Sequence, residues 1–325
     1  MVDRYGRSIQ YLRISVTDRC NLRCVYCMPE HNITWAAPEE LLTGEEILRV
    51  IRVLAKHGIK KIRFTGGEPL LREDLTEIIR AAKQIHGIQT VMLTTNGVLL
   101  AERLPALIEA GLDGINLSLD TLDRAQYADI TRHDMLPQVL QGLEAALRAP
   151  SLKVKVNCVL TKEHNNDAVS LAEMAKEQDL SIRFIELMPV GQGKNYHFCA
   201  EDEVLERLEN KFGKAIPLAS TCGSGGPARY ITFPQFRGRV GFISAMTRPF
   251  CAGCNRIRLT ATGELKPCLQ YESGLNLKQM MNASTDDLNL EYRLYMAVYK
   301  KPIHHHFGDG AYCGDEQRQM NQIGG

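Results

Sequence analysis

Lys61-Ile-Arg-Phe-Thr-Gly-Gly-Glu-Pro69, the helical spacing of Leu75, Ile78, Ile79, Ala82 and Ile85, a stop at Gly87 and then Thr90-Val-Met-Leu-Thr94 read as one strand–helix–strand unit. The two runs carry the β-branched and apolar residues of strands, while steps of three and four place the intervening residues on one helical face. Glycine closes such a helix because it tolerates the left-handed conformation. Two strands joined by a crossover helix run parallel.

The same unit recurs outward in both directions. Strands are predicted at Tyr11–Val16, Lys61–Thr65, Thr90–Thr94, Gly114–Leu119, Lys153–Leu160 and Ser181–Leu187. Thr43 and Glu46 form a capping-box pattern ahead of Ile47, Ile51 and Leu54, and Pro137 opens a helix carrying Val139, Leu140, Leu143 and Leu147. Six βα units fit either a doubly wound sheet or an incomplete version of the eight-stranded barrel, and periodicity alone leaves both open. In either fold chemistry gathers where strands end. Those ends carry Thr17-Asp-Arg-Cys20, Thr65-Gly-Gly-Glu68, Thr94-Thr-Asn96, Ser118-Leu-Asp120 and Glu186-Leu-Met188.

After about residue 215 the texture changes, which divides the chain into expected regions 1–215 and 216–325. Cys222-Gly-Ser-Gly-Gly-Pro227 is a flexible connection, and Arg229–Phe233 and Arg239–Ile243 alternate as strands. Thr262-Gly263 can turn a hairpin between Ile257–Ala261 and Leu265–Leu269, and Ser284–Lys301 reads as a helix. The polar tail Met320–Gly325 is frayed by default.

The 325 residues are 44% apolar and 24% charged, which suits a globular chain and excludes disorder. No apolar run approaches a membrane span, and Met1-Val-Asp-Arg lacks the apolar core of a signal peptide, so a cytoplasmic protein is expected. With 39 Lys and Arg against 38 Asp and Glu, no global field draws the chain to nucleic acid or anionic lipid. Any anion must be held locally.

Ten cysteines are too few for a disulfide scaffold of this length. Cys158, Cys199, Cys222 and Cys313 are scattered and read as small buried hydrophobes. Cys20, Cys24 and Cys27 supply three thiolates from one loop, enough for three irons of a [4Fe-4S] cube, with the fourth iron open to the amino and carboxylate groups of S-adenosylmethionine. A redox dithiol, or zinc with a distant fourth ligand, uses similar spacing. Cys251, Cys254 and Cys268 form a second trio with no fourth Cys or His at matching distance, which suits a second cluster with one open iron, zinc being the alternative. Arg256 and Arg258 alternate onto one strand face beside it, and Arg13, Arg63 and Lys155 interrupt otherwise apolar strands. Buried cations there need an anion, and a polyphosphate provides one. No P-loop is present, Gly191-Gln-Gly193 fails the dinucleotide fingerprint, and His304-His-His306 is given no role.

The string Tyr11-Leu-Arg-Ile-Ser-Val-Thr-Asp-Arg-Cys20-Asn-Leu-Arg-Cys24-Val-Tyr-Cys27-Met-Pro resembles the first cluster motif of the GTP 3′,8-cyclase family, radical S-adenosylmethionine enzymes of molybdenum cofactor biosynthesis. Thr65-Gly-Gly-Glu-Pro-Leu-Leu-Arg72, Phe184–Pro189, Pro249–Thr260 and Gly324-Gly325 extend the resemblance in order along nearly the whole chain. It implies an incomplete (βα)6 TIM-like barrel whose open side is covered by a C-terminal α+β region, in a homodimer. It implies that Cys20, Cys24 and Cys27 hold the adenosylmethionine cluster and Cys251, Cys254 and Cys268 a substrate cluster. Tyr26, Gly67, Ser118 and Met188 fall at adenosylmethionine contacts. Arg13, Arg63, Thr94, Lys155, Arg256, Ile257 and Arg258 fall at GTP contacts, with Arg256 and Arg258 as candidate catalytic residues, and Gly324-Gly325 at a tail that enters the site.

The implied reaction removes H3′ of GTP with a 5′-deoxyadenosyl radical and joins C3′ to C8, giving 3′,8-cyclo-7,8-dihydro-GTP. The implied functional partner is the next enzyme, cyclic pyranopterin monophosphate synthase, and the reductant is unspecified. A radical enzyme that modifies peptides, and a zinc-stabilised binding module, are the rival readings.

Overall fold

The computed structural model describes residues 1–164, 167–219, 226–272, 274–283, 286–309 and 315–324. Six parallel strands form its centre: β1 Tyr11–Ser15, β2 Lys61–Thr65, β3 Thr90–Thr95, β4 Gly114–Ser118, β5 Lys153–Leu160 and β6 Ser181–Glu186. Each lies beside its predecessor, so the order never reverses, and that excludes the doubly wound arrangement.

The later strands are β7 Ile216–Pro217, β8 Arg229–Thr232, β9 Arg239–Ile243, β10 Arg256–Leu259, β11 Glu264–Lys266 and β12 Leu275–Asn276. They extend both edges of the same sheet. β9 pairs in parallel with β6, and β10 in parallel with β1. Beyond them, β8 and β7 continue one side and β11 and β12 the other, all antiparallel. The hairpin between β10 and β11 turns at Gly263, whose φ of +87° explains glycine there.

The connecting helices are α1 Gly44–Lys56, α2 Leu75–Gln84, α3 Leu100–Glu109, α4 Arg124–Thr131, α5 Leu136–Leu147, α6 Ala168–Glu177 and α7 Glu201–Phe212, followed by α8 Leu277–Ala283, α9 Asp287–Tyr299 and α10 Met320–Ile323. At α1, Glu46 N–H donates to Thr43 Oγ1 at 3.2 Å and Thr43 N–H donates back to the Glu46 carboxylate at 2.7 Å, a box worth about 1 kcal/mol. α3 is not among the predicted helices although Leu100, Leu104 and Leu107 recur at helical spacing, since Pro105 falls inside it and reads as a breaker, and α4 buries only Tyr127, Ile130 and Thr131.

The sheet has two unlike faces. Leu12 and Ile14, Ile62 and Phe64, Val91 and Leu93, Ile115 and Leu117, and their equivalents on β5, β6, β9 and β10 bury one face in a single core under the helices. The alternate residues, charged or polar on most strands, line a cavity on the other. Cys158 and Cys199 are buried, as expected of small hydrophobes. Cys222, Cys313 and Gly325 lie outside the described residues.

Candidate active site

The cavity encloses about 310 Å³, within the size range of small-molecule sites. All six cysteines of the two trios line it. They stand at opposite edges of the sheet. The first trio follows the C-terminal end of β1. The second flanks the N-terminal end of β10, which is level with Tyr11 at the start of β1. β1 has five residues, so at about 3.3 Å per residue roughly 15 Å of sheet lies between the two edges.

The first trio's loop is held by backbone contacts that demand glycine. Gly67 N–H donates to Thr17 O at 2.7 Å, and a Cβ at Gly67 would collide with Arg19 O, one at Gly66 with Thr17 O. The next residue ties the ends of β2 and β3 together. The buried Glu68 carboxylate accepts from Thr95 Oγ1 and Asn96 N, each at 2.7 Å, and from Leu70 N at 3.0 Å. Burial pushes its pKa up to about 7 against those bonds. Asn96 in turn donates from Nδ2 to Cys20 Sγ at 3.8 Å and to Asn21 Oδ1 at 2.8 Å. Tyr26 donates to Asp120 at 2.5 Å, and burial raises that carboxyl to about 6.

The thiols of the two trios differ. Burial, with the charge of Glu68, lifts Cys20 to about 11, and burial with the charge of Cys20 lifts Cys27 to about 12. At Cys254 burial again raises the pKa, but the Arg256 and Lys301 charges outweigh it and the thiol falls to about 6. Among the described residues no three His, Cys, Asp or Glu side chains gather closely enough for a single metal ion. Each trio presents three thiols to the one cavity, a donor set that gives one terminal thiolate to each of three irons of a cube and falls one ligand short of a tetrahedral structural zinc. Both trios therefore fit the clusters their spacing suggests.

A cationic wall separates them. Arg13, Arg63, Arg183, Arg256 and Arg258 face the cavity, and Lys155 shares their face of the sheet. Arg63 Nε and both Nε and Nη2 of Arg183 are buried without a hydrogen-bond partner among the described residues. Burial, then the neighbouring cations, pulls Arg183 and Arg258 down to about 10 and Lys155 to about 7. Cations crowded this way are stable only once an anion arrives.

The tail enters the same cavity. Arg258 Nη1 donates to Gly324 O at 2.5 Å, Asn321 Nδ2 donates to Asp18 O at 3.0 Å, and Ile323 packs with Val190 and Leu269. Its base is fixed by a buried Lys266–Glu316 pair and by Arg318, which bridges Glu316 and Glu264.

Two family models divide this architecture between them. The Radical SAM superfamily model matches residues 14–175, and the Molybdenum Cofactor Synthesis C model residues 180–307. Full-length relatives match across both. A GTP 3′,8-cyclase of Clostridium perfringens (strain 13 / Type A) is 42% identical over 326 residues, covering 100% of each chain. Another, of Pelotomaculum thermopropionicum, is 44% identical over 329 residues, again with 100% of each covered. The chain belongs to the GTP 3′,8-cyclase family. The fold is shared more widely than the family: Streptococcus suis SuiB, in its structure bound to S-adenosylmethionine, superposes with a TM-score of 0.63 at 15% identity, over 91% of this chain and 68% of that one.

Within this GTP 3′,8-cyclase family member the structure brings together Tyr26, Gly67, Thr94, Ser118 and Met188 as lining residues, alongside the arginines. Lys155 sits further toward the N-terminal edge than the lining residue Asn157. Ile257 is an exception: its side chain is buried in the core on the far face, so only its backbone is available to the cavity. Sequence reasoning missed Arg183, although it interrupts the apolar run Ser181–Ile185 just as Arg63 interrupts β2. It also missed Glu68 as a tie and Lys301. Of the histidine run, only His305 reaches the cavity.

Proposed function

We infer that this chain converts GTP to 3′,8-cyclo-7,8-dihydro-GTP, the first step of molybdenum cofactor biosynthesis. The observation that carries this reading is one cavity with a cysteine trio at each edge of the sheet and a cationic wall between them. Cys20, Cys24 and Cys27 would hold a [4Fe-4S] cluster, with adenosylmethionine against Tyr26, Gly67, Ser118 and Met188, and Cys251, Cys254 and Cys268 a second cluster facing the guanine. When bound, the first cluster and adenosylmethionine supply the radical that removes H3′.

The chain's own residues position the substrate. Arg13, Arg63, Thr94, Lys155, Arg256, Arg258 and the Ile257 backbone are proposed to bind GTP, Arg183 adding a guanidinium to the triphosphate end. Guanidinium pairs fix a phosphate bidentately, each charge-assisted bond contributing about 1.5–3 kcal/mol. Arg256 and Arg258 are the proposed catalytic pair, and the tail at Gly324 is proposed to exclude water beside them. The sheet is proposed to curl as an incomplete (βα)6 barrel, since strands near its two ends line one cavity, with 216–325 covering the open side of 1–215. A homodimer, a cytoplasmic setting and cyclic pyranopterin monophosphate synthase as the next enzyme complete the proposal. Among the described residues no helix is long and apolar enough to cross a membrane.

Anaerobically purified protein is expected to hold about eight irons and eight sulfides per chain. With GTP, adenosylmethionine and dithionite it should give the cyclised nucleotide, identified by mass spectrometry. Zinc in both trios, or an unchanged nucleotide beside cleaved adenosylmethionine, would refute the reading.

Lys155 gives a pH signature. With its pKa held near 7 against an ordinary 10.5, the empty site binds less proton than the unfolded chain between those values. A bound triphosphate raises that pKa again. GTP binding near pH 8 should therefore take up a proton, and affinity should fall as pH rises further. Calorimetry in buffers of different ionisation enthalpy measures the uptake, and Lys155→Met should remove it. Equal uptake in that variant would show that another group titrates.

A further inference from the structure

The second cysteine trio is braced by two cations that the proposed chemistry leaves unused. Arg7 Nη1 donates to Cys251 O and Ile303 O, both at 2.9 Å, and Nη2 to Pro302 O at 2.6 Å. Its charge is matched by the buried Asp3 carboxylate, 2.6 Å from Nε. Arg7 thereby fastens the start of the trio to the segment that follows α9.

Lys301 lies in that segment, is 2% exposed and lines the cavity. Its Nζ donates to Arg256 O at 3.0 Å and to Pro267 O. Arg256 is two residues past Cys254, and Pro267 directly precedes Cys268, so the ammonium sits against the chain beside two of the three cysteines. Unlike Arg7 it has no carboxylate: both of these bonds are to neutral carbonyls, and no ion pair involves it among the described residues. A buried ammonium without a counter-charge is costly enough that its place needs a reason.

We propose that Lys301 is the counter-charge of the second cluster, a positioning residue that holds the cluster's negative charge and raises its reduction potential. The proposal rests on the reading that the second trio carries a [4Fe-4S] core. Such a core, formally +2, bound by three thiolates is −1 overall, and −2 after one electron enters from a reductant such as dithionite. A nearby fixed cation favours the more negative form. The geometry sets that cation in place: Lys301 Nζ is held by the carbonyls of Arg256 and Pro267, the residues beside Cys254 and Cys268, in the cavity that the trio lines.

The test uses the full chain with Cys20, Cys24 and Cys27 replaced by alanine, so that only the second cluster is seen. After anaerobic reconstitution, iron is counted and the potential is read by EPR-monitored titration. Lys301→Met should keep about four irons and shift the reduction equilibrium about tenfold toward the oxidised form, about 59 mV for a one-electron couple. Lys301→Arg should stay near the parent value. An unchanged potential in Lys301→Met with the irons in place overturns the proposal. Iron lost from Lys301→Met but kept by Lys301→Arg supports it, whereas loss from both makes the residue a matter of fit rather than charge and overturns it. A parent protein with no second-trio iron sinks the underlying cluster reading instead.

Discussion

Cys24→Ala is expected to abolish formation of 5′-deoxyadenosine, a fall of at least about a thousandfold, while the fold persists. The loop that carries Cys24 is not held by its thiol. Arg23 N–H donates to Thr131 O at 3.0 Å, Val25 N–H to Ile130 O at 2.9 Å and Cys27 N–H to Cys24 O at 2.9 Å, and none of these bonds needs the side chain. Burial and the charges of Cys27 and Cys20 keep the Cys24 thiol well above its ordinary pKa in the metal-free loop. Only a bound cation makes its thiolate favourable, so the group's value lies in ligation. Alanine removes one of three terminal ligands from a core that already has one open iron. Iron should drop from about eight to about four per chain, with GTP still bound and the thermal midpoint within a few degrees of the parent. Normal 5′-deoxyadenosine production by liquid chromatography and mass spectrometry would contradict the assignment of the first trio.

Most of what places that trio is local and therefore readable. Thr17 to Cys27 follow an apolar five-residue strand, and the alternation that buries Leu12 and Ile14 must turn Arg13 toward the other face. The same logic applied to Ser181-Ile-Arg-Phe would have found Arg183. Other features depend on partners distant in sequence. The second trio lies at the opposite edge of the sheet because β10 inserts beside β1, some 245 residues away, and no periodicity encodes that pairing. The preference for strand ends drew attention to one rim alone. Glu68 in Thr65-Gly-Gly-Glu68 looked like part of a turn, yet its three donors come from two loops. The tail has no local signal for order, because its anchors, Lys266 and Glu264, belong to β11.

That anchoring makes Gly324 a separable part of the machine. Its φ is +80°, where an L side chain costs about 1–2 kcal/mol, and an added Cβ would stand 3.0 Å from Ser15 Cβ and 3.3 Å from Thr65 Cγ2. Both contacts lie at the ends of β1 and β2, next to the first trio's loop. Gly324→Val therefore cannot keep the tail tip in place, and Arg258 loses the carbonyl that orients its guanidinium. The rest of the tail should stay, because the Lys266–Glu316 pair and Arg318 act upstream of the change. Iron content and stability should then hold. A misplacement of about 1 Å in a positioning group costs about a hundredfold, so cyclised nucleotide should fall by about that factor. Adenosylmethionine cleavage continues, since none of the first trio's ligands is touched. The ratio of cyclised nucleotide to 5′-deoxyadenosine, measured in one reaction, is the readout: a ratio equal to the parent's would show that the tip fills space without positioning Arg258 or shielding the site from water.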